Sequence, residues 1–239
     1  GWTSPIIYAA LAISIVSAGA FLVIEARTAD PLLPLALLKN RTVASGVLTT
    51  FIYMGTFGAL PYFLTVLLQD VHRMSALQTG LAFLVPSIAI ATGTQIGERL
   101  TNRLGARSTL LIGFTLGMPG TAILAIGFNS SLGYPALLPG LVISGLGQGI
   151  VWTAMWIVAA TGVPHDQQGV ANGLASTALN IGNAVGLAVL VAAATAGNPT
   201  TATDIARGGQ HAVYLAAAIM IAGLIITIAI KHPAHQQDR

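Results

Sequence analysis

Cysteine is absent from this 239-residue chain, and charge is scarce. Without Cys there can be no disulfide and no thiolate metal site. Asp, Glu, Lys and Arg together make up 7% of the residues, whereas a soluble domain carries about 25%. A chain so poor in charge cannot cover a water-facing surface, which excludes a soluble enzyme, a soluble binding module and a disordered tail. The net charge of +3 rests on only ten Lys and Arg. They form no basic run, so nucleic acid is excluded as a partner. No positive segment precedes the first apolar run, so that run is not a signal peptide. What the chain has in quantity is apolar residues, 54% of the total, with a mean hydropathy of +0.79. The expected class is a polytopic membrane protein.

A bilayer core about 30 Å thick needs about 20 apolar residues as helix. Seven stretches qualify: 5–24, 43–68, 79–97, 108–128, 134–160, 170–194 and 212–230. They are expected to be helices, because lipid leaves backbone polar groups no external partner and the alternation of a barrel strand is missing. The fold class expected is therefore all-α, a seven-span transmembrane bundle. Pro61 predicts a kink in the second span. Ser75-Ala76-Leu77-Gln78 predicts a capping box ahead of the third. Asp166 is the expected N-cap of the sixth, and Pro233 is expected to stop the seventh.

Orientation follows the positive residues. Arg27, Lys39, Arg41, Arg99, Arg103, Arg107, Lys231 and Arg239 fall on one side, and only Arg73 and Arg207 on the other. The C-terminus and the loop between the third and fourth spans are expected in the cytoplasm, with Gly1 outside. The chain begins Gly1-Trp2-Thr3 without Met and reads as a fragment. A complete protein starting in the cytoplasm would add an odd number of upstream spans.

The titratable groups are badly placed for chemistry inside the membrane. Glu25, Asp30, Asp70, Glu98, Asp166, Asp204 and Asp238 all fall in loops or at span ends. Proton coupling calls for a buried ionisable group, and these seven do not offer one in mid-membrane. His72, His165, His211, His232 and His235 also lie near span ends, without metal-ligand spacing, and are read as solvated. No Gly-x-Ser-x-Gly, His-Glu-x-x-His or mid-membrane His/Asp pair is present, so no enzyme, metal or cofactor is expected. A seven-helix retinal protein would need a Lys within its last span. Lys39 and Lys231 both stand at span ends, which leaves a receptor as a reading without a supporting motif.

Small residues do recur at helical spacing. Gly93/Gly97, Gly113/Gly117, Gly145/Gly149, Gly169/Gly173 and Gly182/Gly186 are each four apart, which lets helix backbones approach closely. In the sixth span Asn172, Ser176, Asn180 and Asn183 share one face. Amides are costly in hydrocarbon, so that face must meet protein or water. Interhelical hydrogen bonding is the simpler reading.

The loop after the third span reads Gly97-Glu98-Arg99-Leu100-Thr101-Asn102-Arg103-Leu104-Gly105-Ala106-Arg107. It resembles the cytoplasmic signature of the major facilitator superfamily, a Gly followed by Asp-Arg-x-Gly-Arg-Arg/Lys. Arg103, Gly105 and Arg107 match. Asn102 replaces the family Asp and Ala106 one family Arg, which weakens the loop's charge network; Glu98, one turn earlier, is placed to substitute in part. Gly1 to Pro5, Glu25-Ala26-Arg27, Asp30 to Leu35, Gln69 to Gly80 and Gly169 to Ser176 resemble the 14-span drug:proton antiporter branch.

The resemblance implies a second linker helix and cytoplasmic loop over 1–42, a C-terminal six-helix transporter domain over 43–231 built as two inverted three-helix repeats, and a cytoplasmic tail over 232–239. It further implies a missing N-terminal domain and a bacterial plasma-membrane exporter of small lipophilic or cationic compounds, coupled to protons. A sugar or amino-acid transporter of the same fold is the alternative. In the family the first helix of each repeat lines the central cavity. That assigns Thr49, Tyr53 and Thr56, with Ser45 on the same stripe, and Gln148, Trp152 and Trp156 to substrate binding, by stacking and cation–π contact on the order of 1 kcal/mol each. The competing role for the two Trp is an interfacial belt. The resemblance also makes the 97–107 loop a conformational latch, and the Gly pairs of the third and sixth spans rocking contacts between two domains.

Overall fold

A computed structural model describes residues 5–28, 40–129 and 131–229. Lys39, Lys231, Arg239, the Asp30–Leu35 motif and the expected stop at Pro233 lie outside the described residues. The chain divides into two units, residues 1–40 and 41–239. The first contributes one helix, α1 (Pro5–Arg27), whose run Tyr8–Arg27 is long and apolar enough to span a bilayer.

The second unit is a helical bundle with no strand among its described residues. α2 (Arg41–Thr56) leads through a tight turn, Phe57–Ala59, into α3 (Leu60–Val66), and a widened turn, Leu67–Val71, completes the second span. The interruption falls where Pro61 predicts it. Pro61 has no N–H and its ring collides with the carbonyl four residues back, which is that of Phe57. The Leu60 N–H takes this carbonyl instead.

α4 (Ala76–Ala82) opens with the expected capping box: the Ser75 hydroxyl accepts from the Gln78 N–H, and the Gln78 side chain accepts from the Ser75 N–H. A break at Phe83, not foreseen in the sequence, precedes α5 (Leu84–Ile126). Its cause is Pro86, which frees the Ala82 carbonyl. The Tyr134 hydroxyl donates to that oxygen at 2.6 Å.

The run Ala76–Ile126 is 51 residues long, more than twice what about 30 Å of hydrocarbon needs. It folds back at Gly105, whose φ of 80° and ψ of 159° suit glycine alone. The third and fourth spans are thus two arms of a hairpin. α6 (Leu138–Ala160) follows a short turn at Tyr134–Leu137, and α7 (Gln168–Thr195) and α8 (Ala202–Ala229) complete the bundle.

Two boundaries differ from expectation. Asp166 sits in the turn His165–Gln167, and α7 starts after Gln167 with no side chain capping it. α8 begins ten residues before Ala212, because Thr201 and Asp204 form a second capping box: the Thr201 N–H and hydroxyl both donate to Asp204, and the Asp204 N–H donates to the Thr201 hydroxyl. Arg207 therefore lies within a helix.

Glycines set the helix pairing, and the pairing sets the directions. A Cβ on Gly93 or Gly97 would meet Leu146 or Ile150, so the first arm of α5 runs parallel to α6. A Cβ on Gly113, Gly117 or Gly120 would meet residues 150–151, Phe57, or 143–144, and one on Gly140 would meet Leu124, so the second arm runs antiparallel. α2 runs alongside α7, with Gly55 against Gly182 and Gly186 and with the Thr50 hydroxyl donating to the Ala175 carbonyl at 3.1 Å. Within this unit α6 thus shares the direction of the first arm of α5, and α2 that of α7. α2 packs on α7 and α8 as α6 packs on the two arms of α5. The core between them holds Phe57, Phe114, Leu110, Leu124, Met155 and Met220. This is an all-α, multi-pass membrane bundle.

Candidate functional site

The midsection of α2 faces that of α6. Tyr53 is buried, its ring centroid 5.6 Å from that of Trp152 and 5.5 Å from that of Phe57. Trp152 meets Trp156 edge to face at 5.7 Å. Gln148, one turn before Trp152, lies near the Tyr53 hydroxyl. Tyr53, Gln148, Trp152 and Trp156 thus form one cluster carried by two helices. Trp152 remains 39% exposed and Gln148 and Trp156 are half-buried, so the cluster has an open side.

Thr49 and Thr56 do not share it. Both are fully buried, and their hydroxyls donate to the carbonyls of Ser45 and Ile52 at 2.7 Å. Assigned to the cavity stripe by the family resemblance, they lie here in the packing between helices.

Next to Gln148 lies a hollow of about 180 Å³ lined from α3, Phe83, both arms of α5 and α6. Both proline-induced interruptions border it, through Leu60, Pro61, Phe83 and Pro86. Its polar lining is Ser87, Ser144 and Gln148. Ser87 and Ser144 were missed in the sequence, where a lone Ser beside Gly and Pro carries no signal of its own. A second hollow of about 200 Å³ has the exposed Asp70 on its rim.

At the other end of the bundle Arg107 reaches α8. Its Nη2 donates to the Ile228 carbonyl at 2.9 Å and its Nε to the Thr227 carbonyl at 3.3 Å. The hairpin is tied across Gly105 as well, where the Thr101 hydroxyl donates to that of Thr109 at 3.2 Å, and the Thr109 hydroxyl lies 3.0 Å from the Gly105 carbonyl. Gly97 is buried against α6. Glu98, Asn102 and Arg103 are exposed and make no hydrogen bond or ion pair with the described residues.

On α7 the buried positions are Ala171, Ala175, Ala178, Gly182 and Leu190. Asn172, Ser176 and Asn180 point away from the bundle, and Asn183 is half-exposed. The interhelical bonding expected of them is absent among the described residues; Asn180 Nδ2 donates to the Ser176 carbonyl of its own helix. The small residues of α7 have taken the packing face, which leaves the amides outward. Gly182 and Gly186 pack on α2, whereas Gly169 and Gly173 face open space.

No cluster of three His, Cys, Asp or Glu suited to a metal occurs among the described residues. His72, expected to be solvated, is half-buried, and its Nε2 is sealed without a partner among them. It ends the widened turn Leu67–Val71, its N–H donating to the Leu67 carbonyl.

Comparison with known proteins adds an independent line. The family model described as Major Facilitator Superfamily matches residues 1–187 and, in a second alignment, residues 46–238. The quinolone resistance protein NorB of Staphylococcus aureus (strain COL) is 28% identical over 231 residues, covering 96% of this chain and 49% of the relative. The multidrug resistance protein Stp of Mycobacterium tuberculosis (strain H37Rv) is 31% identical over 191 residues, 80% of this chain and 35% of the relative. The chain thus spans half or less of the length of these curated relatives.

Proposed function

The chain belongs to the major facilitator superfamily, and from that premise we propose that it is part of a proton-coupled exporter of small lipophilic or cationic compounds, of the 14-span multidrug efflux type. The names of its relatives support this reading, since both are resistance proteins. The observation that carries it is the cluster of Tyr53, Gln148, Trp152 and Trp156, an aromatic and amide surface open on one side. Such a surface holds flat organic molecules by stacking, with about 1 kcal/mol per contact. Trp152→Ala and Gln148→Ala, made in the intact transporter, are expected to shift export of individual compounds by about ten-fold relative to one another, with protein abundance little changed. An unaltered profile with reduced abundance would make these residues packing groups.

Alternating access requires a second bundle to rock against. In this reading the outward amides of α7 meet that partner half of the transporter, or the water between the halves, because amides facing lipid are costly. The proton site lies in that partner half, since Asp70 and Glu98 are exposed here, Asp204 stands in the first turn of α8, and Glu25, though buried, stands in the last turn of α1.

The membrane is the plasma membrane of a bacterium, with the Arg107 end of the bundle cytoplasmic, as the distribution of Lys and Arg supports. Cys introduced at the exposed Ser131 is then expected to react with an impermeant thiol reagent applied to intact cells, and Cys at Ser108 only after lysis. The reverse pattern would invert the orientation.

A further inference from the structure

The hollow beside Gln148 has the makings of a binding site. It lies between two interrupted helices, and ten of the residues around it come from α3, the first arm of α5, and α6, the last two held together by glycine contacts. Its walls are apolar, from Leu60, Leu64, Phe83, Ile90, Leu124 and Leu141. Ser144 is 3% exposed, lines the hollow, and makes no side-chain hydrogen bond among the described residues. The Ser144 hydroxyl is thus free to bond a polar atom of a molecule in the hollow. Gln148 lines the hollow and stands near the aromatic cluster, so it joins the two.

No charged residue lines the hollow. A cation entering it would lose its hydration without gaining a counter-charge. We infer that this hollow is a subsite for the uncharged aromatic part of an exported compound, with Ser144 and Gln148 as its hydrogen-bonding specificity residues. The inference rests on the export reading above and adds a preference to it: this subsite selects for stacking and hydrogen bonding, not for positive charge.

Ser87 provides the test, because it lines the hollow yet is exposed, so a large side chain there fills the space without entering the helix packing. Its neighbour Ile88 is 66% exposed and does not line the hollow. In the intact transporter, Ser87→Trp is expected to cut export of the neutral dye Nile red by about ten-fold or more, and Ile88→Trp to leave it unchanged. Ser144→Ala is expected to lower Nile red export, and Gln148→Glu to move the preference from Nile red toward the permanent cation ethidium. If Ser87→Trp does not insert, Ser87→Cys in a background otherwise free of cysteine replaces it. Nile red, but not ethidium, should then slow its alkylation by N-ethylmaleimide. Unimpaired Nile red export in Ser87→Trp, or alkylation indifferent to Nile red, would overturn the subsite and show a lipid-filled crevice, while leaving export itself standing. Failure of the unmodified transporter to move either dye would overturn the export reading and the subsite with it.

Discussion

Gly149→Val is expected to abolish insertion of a folded bundle, whereas Gly173→Val is expected to leave it nearly unchanged. Both glycines belong to pairs four residues apart, and the sequence does not distinguish them. In the fold a Cβ on Gly149 would fall on the Ile90 carbonyl, with the Thr94 nitrogen at 2.6 Å and the Gly93 carbonyl carbon at 2.8 Å. These are backbone atoms of a neighbouring helix and cannot swing aside. A Cβ on Gly173 would meet nothing within 4 Å. Overpacking a tight site ordinarily costs about 1–3 kcal/mol, and here the obstruction is rigid main chain, so the cost should lie at or above the top of that range. Detergent-solubilised protein followed by size-exclusion chromatography and a thermal melt would read the difference. Equal behaviour of the two variants would mean that α6 does not pack on the first arm of α5 as described. A Gly173→Val variant that folds normally yet fails to export would fit the proposal that this open face of α7 meets the other half of the transporter.

The second large effect is expected at Arg107. Its guanidinium bridges the Thr227 and Ile228 carbonyls at the end of α8. Hydrogen bonds to a charged group contribute about 1.5–3 kcal/mol. Arg107→Ala should therefore speed amide exchange in the last turn of α8 by about ten-fold or more, since 1.4 kcal/mol corresponds to ten-fold. Arg107→Lys should recover only part of this, because an ammonium is a point donor and not a planar fork. Arg103→Ala should leave that turn unaffected, as Arg103 is exposed and unbonded among the described residues. If the loop is also a latch, Arg103→Ala should still impair export in the intact transporter, through a contact outside this chain. The two arginines of one motif then separate by assay: Arg107 by exchange in α8, Arg103 by transport alone. Faster α8 exchange in Arg103→Ala would contradict this division.

Much of this fold is legible in the sequence, because the bilayer imposes a simple rule. Each span must be about 20 apolar residues long and must satisfy its backbone internally. Length and hydropathy therefore locate the spans and the loop between the third and fourth, Pro61 marks a broken helix, and Ser75 with Gln78 marks a helix start, whereas the fold-back at Gly105 came from the structure. The family signature around Arg103, Gly105 and Arg107 is equally plain.

What could not be read is which face of each helix turns inward. In water an apolar stripe declares the buried side; in lipid both sides are apolar, and that contrast is lost. The stripe of Thr49, Tyr53 and Thr56 accordingly splits, with Tyr53 joining the aromatic cluster and the two threonines sealed into the packing. The amides of α7 turn outward because Ala171, Ala175, Ala178 and Gly182 fit closer against the neighbouring helices. The break before Pro86 finds its hydrogen bond in Tyr134, 52 residues away, and Arg107 finds its carbonyls 120 residues away. Such partners are chosen by the shape of the assembled bundle, where close backbone approach at glycine decides which polar groups can meet.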